Sequence, residues 1–441
     1  MSSSTFIDLR VNNAEQFKNS VTGTPNTKMF LVFGKIDSWA NDLSPDIANT
    51  SMNMMYEVWD NMIGGKRILG GDMYHVIPRH NWSSNTVYTA YDDKSTTLYD
   101  SNTIFYVMNS TYSVYKCIAN NYGKVSTIEP TSVNPEIVST TGDGYSWKYM
   151  YTVSDSEKLR FVTDAYIPVK TLTGDDGSLQ WQVQNTAISG AINNIVVTNS
   201  GNNYTNVSNI SIVITGDGSS ASAIPTVNTT TNTISSIVIT DSGKNYTYAT
   251  VSITDKGLGA GANARAIISP FNGHGTNPVY ELGGKNILIN AKLRYTEEGV
   301  LPVGNDYRQI AILKDPYYYN TGIPASNLAF VQALTLVCDG VGDFQSDEIV
   351  YQGTNFAQSS FSGRVVSWDS TTSKLLLINT KGTPTISQSV IGVTSFTTRV
   401  VTNYTNGTMK KFSGRLLYVD NIKPITRATD QIENFQILLK F

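Results

Sequence analysis

The chain has 441 residues, about two to three ordinary domains, and its 40% hydrophobic content is enough to bury a sizeable core. Only 15% of the residues are charged and the net charge is −3, which argues against both the basic footprint of phosphate-driven nucleic-acid binding and a polybasic membrane patch. Two cysteines far apart, Cys117 and Cys338, supply neither a disulfide framework nor a CxxC metal or redox motif, and both are expected to be reduced.

At the N-terminus, MSSSTFIDLR places Asp8 and Arg10 where a secretory signal needs its apolar stretch, and no segment approaches the ~18–20 apolar residues of a membrane span. The chain is expected to be made and used without export. The Asn-X-Ser/Thr triplets at Asn81, Asn203, Asn245 and Asn406 are then by-products of an Asn/Ser/Thr-rich composition. That composition, with 25 Tyr and 15 Phe, suits strands and wide amphipathic contact surfaces.

MFLVFG (Met29 to Gly34) reads as a buried strand. Met54, Met55, Val58 and Met62 recur at helical spacing before Gly64-Gly65, which predicts a short helix over about 52–63 that packs its apolar side on a sheet. In VIPRHNW (Val76 to Trp82), Pro78 breaks a strand and leaves Arg79, His80 and Trp82 on a loop, where Arg and Trp make good interface anchors. Ile104 to Met108 and Tyr112 to Ile118 alternate around Asn109-Ser110 and predict a β-hairpin. In GDGYSWKYMYTV (Gly142 to Val153), the Gly142-Asp143-Gly144 turn allows a tight reversal, after which Tyr145, Trp147, Tyr149 and Tyr151 share one face of a strand.

Residues 188–270 hold an internal repeat. INNIVVTNSGNNYT beginning at Ile192 returns as ISSIVITDSGKNYT at Ile234, 42 residues later, each copy followed by a second strand and a Gly/Ala-rich loop. Gly201 and Gly243 mark turns that need positive φ, and Tyr204 and Tyr246 are expected to pack over those turns. Asn286 to Pro316 returns to the texture of the N-terminal half. Residues 326–410 alternate short strands with polar turns, as in a small barrel or sandwich. GRLLYVDNIKPITRATDQIENF (Gly414 to Phe435) reads as a strand, a bend at Lys423-Pro424 and a polar crossing, and a closing strand then turns Phe435, Ile437, Leu439 and Phe441 to one face.

The expected fold is mainly β with a few short helices: a discontinuous β-sandwich-like core, residues 1–187 plus 271–325 plus 411–441, interrupted by two inserted small β-modules, 188–270 and 326–410. Chemistry is sparse. His75 and His80 straddle Pro78 at a spacing that fits neither a helical nor a strand zinc pair, and His274 lies in a glycine loop. GLGAGA (Gly257 to Ala262) lacks the strand–helix context of a dinucleotide fingerprint, and the pairs Asp92-Asp93 and Asp175-Asp176 read as solvated loop charge. No catalytic residue, metal ligand or cofactor site is assigned.

Five blocks in one order, FGKIDSW (Phe33 to Trp39), VIPRHNW, GDGYSWKYMYTV, YRQIAIL (Tyr307 to Leu313) and the C-terminal block, resemble the dimeric wedge component of the baseplate of T-even-type contractile-tailed bacteriophages. The motif positions are Trp39, Pro78, Arg79, Trp82, Gly142, Asp143, Gly144, Tyr145, Trp147, Arg308, Gln309, Pro424 and Phe441. The resemblance implies a non-enzymatic homodimer in the virion tail, made in the host cytoplasm. Its implied partners are other baseplate wedge proteins, with no nucleic acid, membrane insertion or small-molecule substrate. It also implies a role in linking the inner wedge to peripheral components when the plate rearranges at infection. The alternative reading is a tail-fibre or cell-surface adhesin that binds glycans through its β-modules. A carbohydrate-active enzyme would need a cleft with paired acids, which the sequence does not locate.

Overall fold

A computed structural model describes residues 6–23, 27–294, 297, 301–428 and 430–441. Residues 1–5 of the N-terminal reading, and 295–296 and 298–300 of the Asn286–Pro316 segment, lie outside them. The fold is mainly β, with short helices between antiparallel sheets. The chain forms two units, Met1–Gln16 with Tyr74–Leu288 and Leu438–Phe441, and Phe17–Met73 with Ile289–Ile437.

The first unit is organised by a four-stranded sheet in the order Tyr106–Met108, Ser113–Asn120, Tyr145–Thr152, Val138–Thr140. Side chains alternate across it: Val107, Tyr115 and Cys117 enter one core cluster, while Tyr106, Met108 and Val114 enter another. Both faces of the two central strands are largely buried, and their side chains are apolar on both faces apart from isolated polar positions such as Lys116 and Lys148. The hairpin expected around Asn109-Ser110 is present, with Tyr106 opposite Lys116. The four-ring aromatic ladder is cut to three. A bulge at Met150 lets Val114 pair with Tyr151 while Tyr115 pairs with Tyr149, which sends Tyr151 to the opposite face beside Met150. The helix Ile7–Thr22 was not legible in the sequence; its polar, Asn-bearing stretch buries little beyond Val11, Ala14 and Val21.

Within the same unit, strands from Ile192 to Ile268 pair crosswise between the two repeat copies. The first strand of copy one (Ile192–Asn202) pairs with the last of copy two (Ala260–Ile268), the first of copy two (Thr233–Asp241) with the last of copy one (Ser222–Asn228), and the second strands (Ile210–Gly216, Ala249–Asp255) with each other. Gly201 and Gly243 have φ of +60° and +58°, as their turns require. The tyrosines act across copies: Tyr204 Oη accepts from Ala262 N (3.3 Å) and Tyr246 Oη from Ala221 N (3.4 Å). A Cβ on Gly259 would collide with the Tyr204 ring, and one on Gly218 with the Tyr246 ring.

The second unit carries a five-stranded antiparallel sheet ordered Ala329–Val331, Met62–Ile68, Met29–Gly34, Asp306–Lys314, Arg415–Thr426. The helix Met52–Asn61 is capped by Ser51, whose hydroxyl accepts from Met54 N at 3.2 Å, and it buries Met54, Val58 and Trp59. It ends earlier than the periodicity predicts. Met62 and Gly64-Gly65 belong to the next strand, where Cβ atoms on the glycines would meet the neighbouring backbone and Phe330. The bend expected at Lys423-Pro424 is a bulge inside one long strand: Tyr307 faces Ile425 and Gln309 faces Asn421, so Ile422–Pro424 lie opposite Arg308. This strand is at the sheet edge, where proline is tolerated. Six strands, Leu334–Asp339, Lys374–Gly382, Phe361–Asp369, Ile349–Gln352, Ser389–Gly392 and Thr398–Thr405, close into a small barrel with its own apolar core.

The closing strand is Ile432–Lys440. Phe435 and Ile437 are buried on the predicted face and Glu433 joins them, but Leu439 and Phe441 are only half-buried. From the other face Leu438 packs on Val76, Phe161 and Leu288, so the one-sided alternation fades at the strand's end.

Candidate functional site

All the motif residues but Phe441 gather in two places, one inside each unit. In the first unit the strand Met73–Pro78 ends at Pro78, which is exposed, and Arg79 then donates through Nη1 to Thr163 O (3.0 Å) and through Nε to Asn81 Oδ1 (3.0 Å). Trp82 is half-buried; its backbone N–H donates to Met108 O and its indole to Ser126 Oγ (3.2 Å). Ser126 in turn donates to Asp143 Oδ2 (3.0 Å), which also accepts from the N–H groups of Thr127 (2.7 Å) and Ile128 (3.0 Å). The other carboxylate oxygen takes the Thr141 hydroxyl (2.5 Å) and Tyr145 N–H (3.2 Å). Partial burial raises the Asp143 pKa, but the bonds from Thr141, Thr127, Ile128 and Tyr145 outweigh it and hold the carboxyl at about 2. Gly144, at φ +83°, closes this turn beside Asn121. Tyr145 and Trp147 stack at 5.5 Å and Tyr88 meets both edge-on. The Gly-Asp-Gly turn is therefore a clamp on the 126–128 loop, and through Ser126 it supports the half-buried Trp82.

In the second unit Arg308, 5% exposed, makes a two-pronged pair with Asp42 (both 3.0 Å) and donates to Ile36 O at 2.5 Å. Arg308 lowers the Asp42 pKa through that bond. Trp39 N–H also donates to Asp42 Oδ1 (2.8 Å), the Trp39 indole donates to Ile422 O (3.0 Å), and Lys35 lies over its ring at 4.4 Å. Gln309 donates to Asn421 Oδ1 (2.8 Å), and Asn421 reaches Asp46 O (2.9 Å). One guanidinium and one edge strand thus pin the loop from Ile36 to Asp46, with Pro424 exposed beside it. Phe441 is separate from both groups. Its carbonyl oxygen accepts from Arg10 Nε at 2.6 Å.

Sequence reading missed Asp42 and a buried charge cluster in the first unit. Lys116 and Lys148 face each other across adjacent strands, an unfavourable like-charge pair unless something offsets it. Glu281 does: its Oε2 takes Lys116 Nζ at 3.0 Å, while Oε1 accepts from Gly275 N (2.7 Å) and Asn277 N (3.2 Å). Lys116 also lies over the Tyr91 ring, and Tyr91 meets His274 edge-on. Burial lowers the Lys116 pKa, against the pull of Glu281. Burial likewise brings Lys148 down to about 8, and lowers His274 further with help from both lysines. The signal was available, since each lysine interrupts a run of strand residues that is apolar on both sides. Asp92 and Asp93 also differ from expectation. Arg265 pairs with both, and this is an ion pair rather than solvated loop charge.

Both cysteines are free and buried; burial pushes the Cys117 thiol far up and the Cys338 thiol to about 11. Among the described residues no group of three or more His, Cys, Asp and Glu is placed to hold a metal ion.

Most of these motif residues fix loops and strand ends on a mainly-β scaffold. Residues 3–127, which contain the FGKIDSW and VIPRHNW blocks, match the family model described as Bacteriophage T4, Gp8. The baseplate wedge protein gp8 of Enterobacteria phage T4 is 23% identical over 211 residues, covering 38% of this chain and 63% of that protein. The match thus spans just under two thirds of that relative. The resemblance carried by the sequence blocks is to the same kind of protein.

Proposed function

We propose that this chain is a structural subunit of a phage tail baseplate wedge, located in the virion and acting through protein–protein interfaces in tail assembly and in the rearrangement at infection. The observation that carries the reading is the gathering of the motif residues other than Phe441 around two pinned loops, in a chain whose residues 3–127 match the wedge family model. Each loop holds a half-buried tryptophan, with an arginine nearby, on hydrogen-bonded supports, which is how interface anchors are prepared for a partner at low entropic cost. In this reading the protein is a homodimer, binds other wedge proteins, and turns over no substrate. Co-expression with the other wedge proteins of the same phage, followed by size-exclusion chromatography, tests it. A stoichiometric complex is expected, weakened by Trp82→Ala. A chain that elutes alone under all conditions would remove the proposal.

A further inference from the structure

The second unit contains a half-open cleft of about 290 Å³ between the helix Met52–Asn61 and the barrel strand Lys374–Gly382. Its floor is rigid: Gln332 Nε2 donates to Met409 O (3.0 Å) and Gln332 Oε1 accepts from Met409 N (3.0 Å). Trp59 forms a buried wall, and Tyr319 and Tyr404 bring further aromatic surface. Asn379 and Asn406 supply amides, and among the described residues no side-chain hydrogen bond engages either of them or the hydroxyls of Tyr319 and Tyr404. Among the described lining residues the only charges are Asp60 and Lys411, which neutralise each other at 2.9 Å.

From this lining we infer that the cleft is a binding site for a neutral saccharide. An ionic ligand would find no uncompensated countercharge, and a purely apolar one would strand the amides and hydroxyls without partners. A sugar satisfies both demands. Its C–H face stacks on aromatic rings, and its vicinal hydroxyls both donate to and accept from amide side chains. The volume is at the small end for ligand pockets, suited to a saccharide unit rather than to a large cofactor. Among the described lining residues Asp60 is the sole carboxylate, so there are no paired acids flanking a bond-sized gap and binding without hydrolysis is expected. Saccharide binding is independent of the assembly role, and either can fail without the other.

The test uses the full chain. An array of bacterial surface polysaccharides is probed alongside saturation-transfer NMR with free glucose, galactose and N-acetylglucosamine. Signal on the array alone identifies a cell-surface polysaccharide as the source, and signal from the free sugars as well identifies a general monosaccharide site. The double change Tyr319→Ala/Asn406→Ala is expected to weaken binding at least tenfold while leaving the thermal midpoint nearly unchanged, because Tyr319 is 43% exposed and the amide is unpaired. Should that variant fold poorly, Asn379→Gly, which removes the amide at an exposed position of φ +50° without straining the backbone, gives the same readout alone. Absence of signal in both assays would overturn the inference, as would binding that survives all three substitutions.

Discussion

Arg308 shows how much one side chain can organise. Its guanidinium holds Asp42 by two bonds and Ile36 O by a third, from a position only 5% exposed. Arg308→Ala leaves those acceptors without their donor, and a loss of about 2–3 kcal/mol is expected. Arg308→Lys keeps the charge but not the planar fork, so it should recover only part of that loss. Urea titration measures the stability, and amide exchange over 36–46 should quicken in both variants; unchanged exchange there would mean that the loop is held by other contacts.

The buried lysines make a pH prediction at the same scale. The folded-state pKa of Lys148 is about 8, below its ordinary 10.5. Below pH 8 both states carry the proton and the cost of the buried charge is fully present; above it the folded state releases the proton first. Stability should therefore rise between about pH 8 and pH 10. Lys148→Met should flatten that rise, and a urea midpoint that climbs as steeply in the variant as in the parent would assign it elsewhere. Lys116→Met is a different experiment. It strands the Glu281 carboxylate in the core, and a loss of about 3–5 kcal/mol is expected at pH 7.

Among elements, the closing strand decides most. Removing 434–441 takes away buried Phe435 and Ile437, each worth about 1.5–3 kcal/mol of burial, together with half-buried Leu438, Leu439 and Phe441. The total approaches the ~5–15 kcal/mol stability of a domain, so the truncated chain should be insoluble or lack a cooperative transition. Circular dichroism through a thermal ramp would show this, and a normal melt would mean that the strand is dispensable.

The unbroken apolar run Met29–Gly34, buried at every position, and the repeat turns with their glycines were legible because a continuous apolar stretch and a positive φ leave marks in a single segment. What was not legible depends on a second strand. The bulge that turns Tyr151 away from Tyr149 exists only in the register with Val114 and Tyr115, and the bulge at Pro424 only in the register with Arg308. The motif positions were visible one by one. Their grouping was not, because Trp39 meets Ile422, and Trp82 meets Asp143 through Ser126, across long stretches of chain.

At the scale of the whole molecule, the two repeat copies complete each other, which makes the 188–270 segment a candidate for an independent insertion in a wedge subunit. Its two ends lie side by side: Ser269 N donates to Ala191 O at 2.9 Å and Ala191 N to Ser269 Oγ at 3.1 Å. A short Gly/Ser linker can therefore replace 189–270 without stretching the rest of the chain. The excision is not free of cost. It removes Ile267 from the first unit's core, the Arg265 pairs with Asp92 and Asp93, and the bond from Asn194 to Ile118 O. The shortened protein should accordingly unfold cooperatively at a lower urea midpoint and remain soluble. If assembly belongs to the pinned loops around Trp39 and Trp82, it should also scatter light as a dimer, as the full chain does in the proposed reading, and still enter a complex with neighbouring wedge proteins. A soluble, cooperatively folded but monomeric product would shift the dimer contact onto the repeat, and an insoluble one would show that the repeat is part of the first unit's core.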